Sequence, residues 1–188
     1  MWKKILLGVV VVIVIFLIVV ALQPAHFVVT RAATIQAPPE RVFAQVNDFK
    51  AWNAWSPWAK LDPNCKYTFS DPASGKGATY AWEGDGNVGS GNMTILDTRP
   101  AEQIDIRLEF IKPFAGISPT QFTFKPEGTD ATRVTWTMSG ENGFIGKAFC
   151  LFMNMDKKVG GDFEKGLANI KGIVEVPAPA TAPVAAAR

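Results

Sequence analysis

From Lys66 onward the period of hydrophobicity is two, which commits most of this chain to paired strands. Ile104, Ile106, Leu108 and Phe110 alternate with Asp105, Arg107 and Glu109. Phe122 and Phe124 alternate with Gln121, Thr123 and Lys125, and Val134, Trp136 and Met138 with Arg133, Thr135 and Thr137. Successive strand residues point to opposite faces, so each segment is apolar on one side and wet on the other. The spacing predicts strands over residues 66–70, 78–85, 91–98, 103–113, 120–126 and 132–140. Turn clusters such as Ser74-Gly75-Lys76-Gly77, Gly84-Asp85-Gly86-Asn87 and Glu127-Gly128-Thr129-Asp130 separate them. Short strands in series with such turns make an antiparallel meander that packs on one face.

Helical signals flank the meander. A strand over residues 27–36, rich in β-branched and aromatic side chains, runs into Ala37-Pro38-Pro39-Glu40. Proline is tolerated in a first helical turn and an acid suits the positive end of the dipole, so a helix opens there. Trp52, Trp55 and Trp58 follow at three-residue spacing, in a short aromatic helix broken by Ser56-Pro57. Three readings of this trio stay open: packing beneath the sheet, a portal over a cavity, or contact with a bilayer interface. The chain then predicts one long helical stretch over residues 145–174, with Phe152, Met155, Val159, Phe163, Leu167, Ile170 and Val174 as its apolar stripe. Gly160-Gly161 interrupts that stripe and implies either a kink or a close approach to the sheet. No internal repeat is present.

From Ile5 to Leu22 the sequence is apolar without interruption and carries no charge. As a helix this run is about 27 Å long, near the thickness of a bilayer's hydrocarbon core. Lys3 and Lys4 precede it and the next basic residue is Arg31. The charge asymmetry places the amino end in the cytoplasm and the rest across the membrane, in the periplasmic or extracytoplasmic space. A cleaved secretory signal is the competing reading, but its apolar core is usually shorter, about 7–15 residues, and ends in a small-x-small site. The organisation expected is a membrane anchor over 1–23, one domain over 24–176, and a Pro/Ala-rich disordered tail over 177–188.

Charge and composition exclude several functions. Without Lys3 and Lys4 the 19 Lys and Arg fall to 17, equal to the 17 Asp and Glu, so the domain is neutral and shows no electrostatic footprint for nucleic acid. The one histidine, His26, sits at the membrane junction, which excludes a histidine-rich metal site and leaves no Ser-His-Asp arrangement within the domain proper. No metal and no cofactor is expected. Cys65 and Cys150 fall in an oxidising compartment on this topology, either as a disulfide or as one loop thiol and one buried helical thiol. Glycine pairs at 84/86 and 89/91 fall in hairpin turns and not at a strand-to-helix junction, so they do not cradle phosphate.

The order of elements resembles the SRPBCC superfamily (START and Bet v 1-like proteins), in its polyketide cyclase/dehydrase and lipid-transport branch. The carriers are Ala37-Pro38-Pro39-Glu40-Arg41-Val42-Phe43, the stretch from Asp48 through Trp52, Trp55 and Ser56-Pro57-Trp58, and Tyr80-Ala81-Trp82-Glu83-Gly84. Gly89-Ser90-Gly91-Asn92-Met93 and the terminal Asp162-Phe163-Glu164-Lys165-Gly166-Leu167 complete them. The resemblance implies an α+β helix-grip fold, a curved seven-stranded antiparallel sheet around a long carboxyl-terminal helix, here preceded by one transmembrane helix. It also implies an apolar cavity, in a family that contains binders, transfer proteins and a few enzymes.

By parity, Tyr80, Trp82, Leu108, Phe110, Phe122, Phe124, Trp136 and Met138 share the inward face, and Phe163 faces them from the helix. They are the candidate ligand-binding residues, and no catalytic residue is assigned. Either they line a cavity or they interdigitate as a core; periodicity does not separate the two. Asp105 and Glu109 lie on the wet face with Arg107 between them, and Glu83 points away from the cavity. The leading expectation is therefore a membrane-anchored binder of a hydrophobic molecule, a lipid or isoprenoid, without turnover. A cyclase or dehydratase using the same cavity, and an interaction module with a collapsed one, are the alternatives. On the charge asymmetry, a reporter fused after Arg188 should be active only outside the cytoplasm; activity in the cytoplasm would reverse the topology.

Overall fold

Cross-strand pairing of the alternating segments builds one sheet. The computed structural model describes residues 1–176, so the expected tail over 177–188 lies outside the described residues. The elements are α1 (Trp2–Ala21), β1 (His26–Ile35), α2 (Pro39–Asn47), α3 (Trp52–Trp55), β2 (Lys66–Phe69), β3 (Thr79–Glu83) and β4 (Ser90–Arg99). They continue with β5 (Gln103–Lys112), β6 (Gly116–Glu127), β7 (Ala131–Glu141), α4 (Phe144–Phe152) and α5 (Met155–Val174). The seven strands lie in the order β1-β7-β6-β5-β4-β3-β2, and every neighbouring pair is antiparallel. This is the expected helix-grip sheet: β1 closes the meander by pairing with β7 from His26↔Glu141 to Ile35↔Thr132.

Alternation decides which side is covered. Ile104, Ile106, Phe122, Phe124, Val134 and Trp136 are buried on the inward face, beneath α2, α3 and α5. Trp52 and Trp55 are buried with them, their indole N–H groups donating to the carbonyls of Val46 and Gln45 at 2.9 Å each. Packing beneath the sheet is thus where these two stand; Trp58 is half-buried beside them.

The stretch expected as one helix is two. Met153 is extended, and Asn154 caps α5 by accepting a hydrogen bond from the Lys157 backbone N–H at 2.9 Å. The cap satisfies an orphan donor of the first turn and starts a separate helix. Phe152 consequently leaves the stripe and is 82% exposed, whereas Phe163, Leu167, Ile170 and Val174 are buried as expected.

At the glycine pair the close approach holds and α5 runs on without a break. A Cβ on Gly160 would collide with the Arg31 guanidinium, which crosses the helix there. Arg31 projects from the inward face of β1, grips the Asp156 carboxylate with two bonds of 2.9 Å and donates to Glu164 at 2.7 Å. The guanidinium holds the Asp156 carboxyl below its ordinary range. A fork of this geometry fixes orientation as well as distance. Truncating the buried Phe163 to alanine should cost about 3–5 kcal/mol in denaturant unfolding, and a loss under about 1 kcal/mol would show that α5 is not seated as described.

Candidate functional site

The inward face divides into two zones along the strands. In the zone away from α1, aromatic rings are packed ring on ring. Trp136 stacks on Phe122 at 4.7 Å between centroids and on Phe163 at 3.9 Å with an angle of 6°. Trp55 and Trp58 meet its edge at 5.7 and 6.0 Å, and Phe124 packs against Phe43 at 5.5 Å. The Trp136 indole N–H is buried here with no hydrogen-bond partner. Four of the nine sequence-derived candidates, Phe122, Phe124, Trp136 and Phe163, belong to this close-packed zone.

The other five lie towards the end of the sheet where β1 leaves α1. The ladder sets Tyr67 beside Trp82, Trp82 beside Gly91 and Gly91 beside Phe110, with Tyr80, Met93 and Leu108 forming the adjacent row. Tyr80 stacks between Tyr67 and Trp82 at 5.7 and 5.9 Å, and Trp82 meets Phe110 edge-on at 6.2 Å. Glycine at position 91 is what lets the indole lie flat: a Cβ there would sit 2.5 Å from two atoms of the Trp82 ring. Tyr80 and Met138 are buried, but Trp82, Leu108 and Phe110 are only half-covered, because α5 lies along β1 with α2 and α3 and leaves this end open.

Polar groups at this mouth are few. The Trp82 indole donates to the Val88 carbonyl at 3.4 Å, and the Tyr67 hydroxyl to that of Ala59 at 3.5 Å. Burial, with a smaller effect of the nearby Cys65 thiol, pushes the Tyr67 phenol up to about 12. Burial raises the Tyr80 phenol as well, and the neighbouring Tyr67 and Cys65 add to it. Tyr67 escaped the sequence reading although it shares the strand parity of Phe69; only the register to Trp82 reveals it. Beside Phe110, an open groove of about 750 Å³ runs past His26, Glu109, Ser139 and Glu141, and no hydrogen bond joins these four side chains to one another. Cys65 and Cys150 are unpaired, and both are half-buried. Among the described residues no group of three or more His, Cys, Asp or Glu is placed to hold a metal ion.

A curved antiparallel sheet that grips a carboxyl-terminal helix and turns an apolar face towards it defines a helix-grip protein. The chain belongs to the polyketide cyclase/dehydrase and lipid-transport family, whose model matches residues 26–175. No curated protein matches it. Among solved structures it is similar to the CV1439 protein of Chromobacterium violaceum, at 17% identity and a TM-score of 0.57 over 79% of this chain and 96% of that one. The MLL2253 protein of Mesorhizobium loti gives 15% and 0.60 over 81% and 100%, and the Aha1 dimer of Colwellia psychrerythraea 14% and 0.57 over 81% and 99%. At these identities the likeness is one of fold.

Because Tyr67 and Tyr80 are the only two tyrosines, their ionisation can be followed without assignment. The native fold keeps both phenols protonated, so its stability should fall as pH rises above about 10, the ordinary phenol value. Spectrophotometric titration should show no tyrosinate near that pH while the protein stays folded. Half-ionisation there would mean that both rings are solvated.

Proposed function

We propose that the domain binds a hydrophobic molecule, of the lipid or isoprenoid type, at the mouth formed by Trp82, Leu108 and Phe110, with Tyr80 and Met138 behind them, and does not turn it over. One observation carries this reading: a concave apolar surface on the family's ligand-facing side stays half-covered at the end of the sheet next to α1. Apolar side chains on a monomer's concave surface mark a contact site more often than an accident of packing. The aromatic stack of Trp136, Phe122 and Phe163 serves as the floor.

The second half of the proposal is the anchor. Helix α1 has 20 residues, long and apolar enough to cross a membrane, and nearly all of it is exposed. A single-span tether holds the mouth beside a reservoir of apolar guests and raises their effective concentration. The reading without turnover rests on the make-up of the mouth, where the two phenols are the titratable groups and the remaining side chains are apolar. A second reading, an interaction module, draws on the close-packed floor.

Native mass spectrometry of the full chain, extracted with its own membrane, tests the binder. A co-purified apolar molecule should be retained by the wild type and reduced at least about ten-fold in Leu108→Asp, because a charge placed in an apolar mouth is costly to bury and draws in water. Circular dichroism of the variant must match the wild type. A wild type that carries no guest and whose tryptophan emission ignores every lipid class added would favour the interaction module.

A further inference from the structure

Helix α4 is built unlike the rest of the surface. Its nine residues, Phe-Ile-Gly-Lys-Ala-Phe-Cys-Leu-Phe, include one charge, Lys147, and no acid. Phe144, Ile145, Phe149 and Phe152 are 51%, 56%, 48% and 82% exposed. Phe114, from the turn between β5 and β6, is 54% exposed and meets Phe149 at 5.8 Å between centroids. Ile111 and Ile117 flank that turn and are also exposed. Soluble surfaces scatter their large apolar side chains singly; here they are gathered on one helix and one turn.

Position says what covers them. α4 packs against α1, and the Lys147 ammonium donates to the carbonyl of Ala21, the last residue of α1, at 3.2 Å. A 20-residue helix is about 30 Å long, so if α1 crosses the hydrocarbon core, Ala21 emerges at headgroup depth. Whatever touches Ala21 is then at that depth too. Basic side chains lie beside the patch: Lys112 ends β5, and Lys157 and Lys158 line an open groove with Phe152 and Met153, in which Lys165 is paired with Asp162 at 3.0 Å. Aromatic rings with lysines beside them are the composition of a helix that lies in a bilayer interface.

We propose that α4 and Phe114 form a second membrane contact, an interfacial helix docked on the leaflet from which the carboxyl end of α1 emerges. This rests on the reading of α1 as a span. The occupant is the lipid surface, with the lysines facing anionic headgroups. A nine-residue helix is marginal by itself in water, so its apolar face must be covered when the protein is in place. Docked this way, α4 fixes the tilt of the sheet over the bilayer, and the half-covered mouth opens towards lipid.

The test uses the full chain with Cys65→Ser and Cys150→Ser, carrying a single environment-sensitive nitrobenzoxadiazole label at Phe149→Cys, Phe152→Cys, Leu17→Cys or Thr129→Cys. Each is reconstituted into phosphatidylcholine vesicles containing phosphatidylglycerol, with or without spin-labelled lipid. Labels at 149, 152 and 17 should shift to the blue and be quenched at least about two-fold by spin-labelled lipid, and the label at 129, in the turn between β6 and β7, should not. Water-like emission at 149 and 152 with quenching at 17 overturns the docking and leaves the span standing. Water-like emission at all three overturns both. Labels at 149 and 152 that are shielded from aqueous iodide yet indifferent to spin-labelled lipid would mean that a second copy of the chain covers α4, which also overturns the proposal.

Discussion

The position of α5 depends on one ring stack. Phe163 lies flat on Trp136, which lies on Phe122, so a helix, the β7 strand and the β6 strand are joined through three side chains. The buried Trp136 N–H has no acceptor there, and leaving such a donor unpaired costs about 1–3 kcal/mol. The area buried by three large rings, with the offset and edge-on contacts around them, offsets that cost. Arg31 supplies what stacking does not. Apolar contacts tolerate sliding, whereas a guanidinium fork on Asp156 fixes the helix along its axis.

From this arrangement follows the asymmetry of the concave face. α5 is held against β1, so the side of the sheet built from β2 to β5 receives less cover, and its aromatic row from Tyr67 to Phe110 remains partly open. The family fold sets out a gripping sheet; which end is filled and which is open is set by where the large rings fall. On the proposed reading, three apolar surfaces, α1, α4 and the mouth, are gathered at one end of the molecule. A guest passing from bilayer to mouth would meet little polar surface on the way.

Much of this was legible in the sequence. The two-residue period marked every strand of the meander, since turn clusters separate most of the segments and one face of each is greasy. Parity also named the inward-facing side chains, because a strand has only two faces. What parity omits is the third dimension. Phe124 and Phe110 have the same alternation, yet one is buried under α2 and the other half-covered, and only the crossing of the helices distinguishes them. The division between α4 and α5 was missed because apolar residues continue at helical spacing through Phe152 and Met155; the signal was Asn154, a capping residue inside a greasy run. Strand β6 begins at Gly116, before the expected 120, and takes Pro119 inside it. The proline precedes the first β6–β7 pair, Thr120↔Met138, so on that side its missing N–H breaks no ladder bond.

The connection between α1 and β1 has a mechanical consequence. Residues 22–25 span at most about 14 Å, and β1 continues directly from them as an edge strand paired to β7 along its whole length. Antiparallel ladder bonds run perpendicular to the strands. A pull transmitted along α1 into β1 therefore loads the pairs from His26↔Glu141 to Ile35↔Thr132 together, in shear, and does not peel them one at a time. On the proposed anchoring the sheet hangs from its strongest direction, and a force on α1 would be resisted by the entire ladder before any single strand came away.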